Sequence, residues 1–139
     1  MNAIDTNVLL YYIDRDELVK QAQATTLLAA LATSAIPTVL LSQVAVEFGA
    51  GLTRWMQSNK LTLAQRRNYF QDVSALFPFV LPQSNLVPKA FELAARHTLS
   101  YWDSLLLAAC VETGIDTLYS EDLSAGVIYD GIKVVNPFV

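Results

Sequence analysis

Soft metal ligands are almost missing from these 139 residues: there is one histidine, His97, and one cysteine, Cys110. A lone cysteine cannot close an internal disulfide, which suits a reducing, cytoplasmic setting. One His and one Cys also exclude the ligand spacings that hold zinc. Glycine is scarce, and the five present form no Walker A run, no G-x-G-x-x-G and no G-x-S-x-G elbow. Charge is thin as well. Only 16% of residues are charged, and the net charge of −4 excludes docking of nucleic acid on a broad basic surface. It leaves room for a nucleic-acid enzyme whose positive charge arrives as a metal ion. Met1-Asn2-Ala3-Ile4 has no basic region of the kind that opens a signal peptide. The longest uncharged run, Gln21 to Val46, is broken by Gln, Thr, Ser and Pro37, so it reads as a buried helix and a strand, not a membrane span.

What the chain does have is apolar residues, at 53% of the total, enough for one core and one domain over residues 1–139. Ala3-Ile4 reads as a short buried strand ending at Asp5. Thr6 or Asn7 is then placed to cap a helical piece through Val8–Tyr12. Glu17 to Ala32 reads as a helix, Thr38–Leu41 as a second buried strand, and Ser42 as the cap of a helix running to about Ser58. Thr62 caps a helix over Leu63–Leu76. Phe77–Leu81 is a strand candidate interrupted by Pro78, and Pro88 sits in the first turn of a helix ending near His97. Ser100-Tyr101-Trp102-Asp103 has a capping-box pattern with Asp in place of Glu, opening an all-apolar helix that Gly114 ends. Thr117–Tyr119 is a third buried strand, Ala125–Tyr129 a loop, and Ile132–Val135 a last strand. Helices alternating with short continuous apolar strands predict a mostly parallel sheet covered on both faces, a three-layer α/β/α fold.

The acids sit in a pattern. Asp5 and Asp122 follow short apolar strands, and Glu47 follows Thr38–Leu41 by about a turn and a half of helix. Parallel strands would bring all three to one sheet edge, where open α/β sheets bind ligands. Asp103 can join them from the start of the buried helix. Each acid alone has an ordinary explanation as a cap or an exposed helix residue. Four converging carboxylates repel one another unless a cation is present, and oxygen-only ligands favour Mg2+ or Mn2+. His97 fits a helix-dipole partner, Cys110 inert packing, and Trp55, Tyr69 and Phe70 core or interface.

Four stretches resemble the motifs of PIN-domain ribonucleases, in order and over essentially the whole chain. These are Ile4–Leu10 (IDTNVLL), Ser42–Phe48 (SQVAVEF), Tyr101–Leu105 (YWDSL) and Leu118–Leu123 (LYSEDL). Size and the Ser-Glu-Asp-Leu ending look most like the VapC-type toxins of bacterial toxin–antitoxin pairs. The resemblance implies a PIN-like fold and a metal-dependent endoribonuclease. It assigns Asp5, Glu47, Asp103 and Asp122 to catalysis and to one or two Mg2+ or Mn2+ ions, with Thr6 and Ser120 as polar supports. Glu121 stands outside the core set. It also implies an RNA substrate, a small antitoxin with a DNA-binding N-terminus, and a homodimer. The antitoxin is expected to lay a helix along this domain and insert an Arg or Lys among the four acids. Near the first half of the site, the basic residues are Arg15, Lys20, Arg54, Lys60, Arg66 and Arg67. Two other readings start from the same acids: a PIN-fold binding module capturing a basic peptide, and a receiver-like phosphoacceptor domain. Against the latter, no lysine precedes Lys133 near a late strand end and no acid pair follows the first strand.

Overall fold

A computed structural model describes residues 1–139. Six strands form one sheet in the order β3-β2-β1-β4-β6-β5. Here β1 is Asn2–Ile4, β2 Thr38–Leu41, β3 Phe79–Val80, β4 Thr117–Tyr119, β5 Ile128–Tyr129 and β6 Ile132–Val135. Every pairing is parallel except β5 with β6. The helices are α1 Thr6–Ile13, α2 Leu18–Ala32, α3 Ser42–Gln57, α4 Leu63–Leu76, α5 Leu86–His97 and α6 Tyr101–Thr113.

Chain order explains the layers. From β1 the chain steps outward through α1 and α2 to β2, then through α3 and α4 to β3. It then crosses back through α5 and α6 to β4, on the other side of β1. Right-handed crossovers in opposite directions put the two sets of helices on opposite faces. The strand order therefore reverses between β1 and β4, and the crevice beyond their C-terminal ends is where such sheets hold ligands. β1 and β2 are buried throughout, as strands covered on both faces must be. Leu9, Phe48, Leu52, Leu107 and Leu118 are fully enclosed in the core between the layers.

Several local readings change. Asp5, not Thr6 or Asn7, caps α1: its backbone is extended and its carboxylate accepts from the Thr6 N–H. Ser42 is the first residue of α3, and its hydroxyl donates to the Val80 carbonyl across to β3, so Leu41 takes the cap position. Only Phe79–Val80 pairs after Pro78, and the expected loop at 125–129 ends in a short strand, β5, that turns back on β6. At α6 half of the capping box forms, the Ser100 hydroxyl accepting from the Asp103 N–H. At α4 the box is complete, with Thr62 and Gln65 exchanging bonds.

His97 has a stronger partner than a helix dipole. It and Arg96, in the last turn of α5, both reach Asp130 in the β5–β6 turn, and the His97 bond holds the Asp130 carboxyl below the usual range. The aromatics behave as packing: Phe70 stacks on Phe48, and Trp55 lies beneath the Lys60 ammonium, 4.2 Å from ring centre to nitrogen.

Gly114 ends α6 at φ 77°, in the left-handed region, with open space around a would-be Cβ. Gly114→Ala is therefore expected to cost about 1 kcal/mol, from backbone strain alone. Leu118→Ala, emptying the centre of β4, is expected to cost about 2–5 kcal/mol. Urea unfolding of both variants checks the contrast, and equal losses would show that the cap is doing more than ending a helix.

Candidate functional site

Asp5 is the last residue before α1, at the C-terminal end of the central strand, and is 7% exposed. Both of its carboxylate oxygens are taken. One accepts from the Thr6 N–H at 2.7 Å, the other from the Ser120 hydroxyl at 2.7 Å. Ser120 follows β4 directly, is fully buried, and its oxygen also accepts from the Asp122 N–H at 3.1 Å. One hydroxyl thus fixes the Asp5 carboxylate and the backbone that carries Asp122. The main chain adds a parallel tie, Asp5 N–H to Tyr119 carbonyl at 2.9 Å.

Glu47 comes from the second turn of α3 and is held by two neutral donors. Thr6 Oγ1 gives to one oxygen at 2.8 Å and Gln43 Nε2, a turn earlier on α3, to the other at 2.8 Å. Gln43 Nε2 also reaches the Trp102 carbonyl at the start of α6. These contacts fix the amide's orientation and leave its oxygen buried without a partner. Asp122 is steadied by Asn7 Nδ2 at 2.8 Å. Asp5, Glu47 and Asp122, with Thr6, Asn7, Leu10, Ala50 and Arg54, line one cavity of about 280 Å³. A larger apolar hollow lies on the far side of Glu47, between Val46, Leu81 and Trp102.

Asp103 is placed differently. It sits in the first turn of α6 and does not line that cavity, but its charge reaches Asp122. Glu121 pairs with Lys20 at 2.9 Å.

The electrostatics follow from burial. Loss of solvent pushes the Asp5 carboxyl up to about 6, even though Ser120 and Thr6 bond to its charged form, and the Asp122 and Glu47 charges push the same way. Asp122 is also raised, first by burial, then by Glu121, Asp103 and Glu47. Here the donor chemistry suits a hard divalent cation: oxygen only, anionic, and destabilised without positive charge. The acids do not close into a ready ligand set, since no three of them cluster tightly enough as placed. Asp5, Glu47 and Asp122 are the side chains that would hold such an ion, with Asp103 within electrostatic reach.

Reasoning from the sequence named Thr6 and Ser120 as supports but missed Asn7 and Gln43. Both carry amides at positions that a helix start makes predictable: Asn7 is in the first turn of α1, and Gln43 stands four residues before Glu47.

Because folded Asp5 titrates near 6 and an unfolded aspartate near 3.9, the folded state holds the extra proton between those values. In metal-free protein this group's contribution to stability is greatest below about pH 4 and declines as pH rises through about 6. Asp5→Asn is expected to raise the unfolding free energy in chelator at neutral pH by about 2–3 kcal/mol, and to do so far less near pH 4. Ser120→Ala, which strips a donor from the buried carboxylate, is expected to cost about 1–3 kcal/mol. Thermal melts at the two pH values read both effects, and a destabilised Asp5→Asn at neutral pH would count against burial as the dominant influence.

Comparisons with known proteins agree with this geometry. Residues 3–126 match the PIN domain family. No curated protein matches significantly. Among solved structures, VapBC2 from Rickettsia felis, bound to a promoter DNA fragment, is 14% identical with a TM-score of 0.70, covering 96% of each chain. A toxin–antitoxin complex from Klebsiella pneumoniae is 17% identical with a TM-score of 0.68, over 99% of this chain and 98% of that one. VapC20 of Mycobacterium tuberculosis, a sarcin–ricin loop cleaving toxin, is 17% identical with a TM-score of 0.61, over 88% and 90%. At these identities the likeness is one of fold, and it is the family match, running through the strands and helices that carry Asp5, Glu47, Asp103 and Asp122, that makes this chain a member of the PIN-domain family.

Proposed function

We propose that this protein is a divalent-metal-dependent endoribonuclease, acting as the toxin of a VapBC-type pair. The observation that carries the reading is the cavity at the β1–β4 switch point. In it the buried Asp5, the partly buried Glu47 and the exposed Asp122 are held by Ser120, Thr6, Asn7 and Gln43. Bound Mg2+ or Mn2+ supplies Lewis acidity and a water of lowered pKa to such a site. The chain's own part is to set the ligands. Ser120 and the Thr6 N–H fix Asp5, Thr6 Oγ1 and Gln43 aim Glu47, and Asn7 turns Asp122 inward. Asp103 adds negative charge from α6, drawing a cation toward Asp122. All four acids belong to the reading as catalytic residues.

The partners follow from the same reading. The structures of similar fold include toxin–antitoxin complexes, which supports a small antitoxin with a DNA-binding N-terminus as partner. An inserted Arg or Lys would meet carboxylates already destabilised by burial and mutual repulsion. Exposed Val46, Leu81, Trp102 and Phe91 support a homodimer. No helix is long and apolar enough to cross a membrane, and the reading places the protein in the cytoplasm. The competing reading, a binding module for a basic peptide, draws on the open spacing of the acids.

Cleavage of RNA is expected to stop in chelator and to return with Mg2+ or Mn2+. Asp5→Asn, Glu47→Gln, Asp103→Asn and Asp122→Asn are each expected to lower the rate by about 10²-fold or more while remaining folded. Gel assays with purified protein, alongside circular dichroism, decide it. Full activity in chelator ends the metal mechanism, and peptide binding with no cleavage under any metal favours the binding module.

A further inference from the structure

One cation in the molecule pairs with the sequence neighbour of a candidate ligand. Lys20 donates from its ammonium to Glu121 Oε2 at 2.9 Å, 101 residues on. Glu121 and Asp122 are adjacent on the loop that follows β4, so by sequence either carboxylate is available to the cavity. The structure uses one of them. Asp122 lines the cavity and accepts from Asn7 Nδ2 at 2.8 Å, whereas Glu121 is not part of the lining. Lys20 itself stands in the first turn of α2 and is the only charged residue of that helix. A cation there faces the positive end of the helix dipole, so α2 gains nothing from it. What holds the ammonium lies outside its own helix. It donates to the Tyr11 hydroxyl at 3.1 Å and rests 4.4 Å from the Tyr11 ring centre and 5.5 Å from that of Phe138. The side chains of Lys20 and Glu121 are 34% and 18% exposed, which sets the pair apart from a fully solvated surface contact.

We infer that Lys20 is a positioning residue of the candidate metal site: by fixing Glu121 outside the cavity, it sets the turn of the loop that leaves Asp122 as the ligand. The inference rests on the metal-dependent reading and adds to it the choice between two adjacent carboxylates. Glu121 and Asp122 share a planar peptide unit, so a backbone rotation that admits Glu121 carries Asp122 away from Asn7. Charge alone gives the opposite expectation. The Lys20 charge reaches Asp122, so its removal makes the cavity more negative and favours a cation. Positioning and charge therefore predict opposite signs for the same substitution.

The test is Mn2+ binding, read from the electron paramagnetic resonance of the free ion, beside the side-chain amide signals of Asn7 in isotope-labelled, metal-free protein. Lys20→Met is expected to weaken Mn2+ binding about tenfold, the loss typical of residues that orient metal ligands. It is also expected to shift the Asn7 amide signals toward those of Asp122→Asn. Lys20→Arg, which keeps the charge and can still donate to Glu121, should restore both. Lys20→Met/Glu121→Gln removes one charge of each sign, so charge alone predicts no change, and positioning predicts the same loss as in Lys20→Met. Unchanged or tighter Mn2+ binding by Lys20→Met, or Asn7 signals that stay in place, overturns the positioning role. A lowered melting temperature with both readouts unmoved overturns it as well, leaving a merely structural tie. If Lys20→Met does not fold, Glu121→Gln decides through the Asn7 signals. No Mn2+ binding by the unsubstituted protein, or binding that Asp122→Asn leaves untouched, overturns the metal reading. Displaced Asn7 signals in Lys20→Met would in that case still support the placing of Asp122 by Lys20.

Discussion

The Ser120 hydroxyl is the contact on which the candidate site depends. It donates to a buried carboxylate at the end of one central strand and accepts from the backbone just past the next. Without it Asp5 would be an ionised group in the interior with one oxygen unmatched, a cost that falls on the folded state alone. The sheet makes the contact available: β1 and β4 are parallel and in register, Ile4 opposite Tyr119, so the residues that follow them emerge side by side. Short strands serve this purpose well. Three residues suffice to carry the register, and each helix can start at once.

Tension remains in the pocket even so. Burial and mutual repulsion raise Asp5 and Asp122 together. A small domain accepts that cost only where the large apolar core compensates, and residues from Leu9 to Leu118 enclose the site from beneath. The site is therefore stable as a geometry and unstable as a charge distribution. Under the proposed function, that combination is what a bound cation would relieve.

Much of this was legible in the sequence because it rests on short-range rules. Asp5, Glu47 and Asp122 could be assigned to one sheet edge from strand–helix alternation alone, and Gly114 from the end of an apolar run. The less legible parts depend on partners distant in the chain. Nothing local says that the Ser42 hydroxyl would leave its own helix for Val80, 38 residues on, or that His97 would prefer Asp130 to the end of its helix. The short strand β5 is invisible for the same reason: two residues carry no period, and pairing with β6 alone defines it. Asp103 is the instructive middle case. Its position in the first turn of α6 was readable, whereas its setting outside the cavity depends on how α6 packs.

The pairing of Glu121 with Lys20 reaches further than its modest energy. Lys20 also donates to the Tyr11 hydroxyl and lies over the rings of Tyr11 and Phe138, which meet edge to face. The loop bearing Asp122 is thereby moored from behind to α1, to α2 and to the last residues of the chain. Two adjacent acids on that loop are drawn to different partners, Glu121 to Lys20 and Asp122 to Asn7. The C-terminal tail is in this sense a wedge. Phe138, seated edge-on against Tyr11, completes the aromatic surface on which the Lys20 ammonium rests.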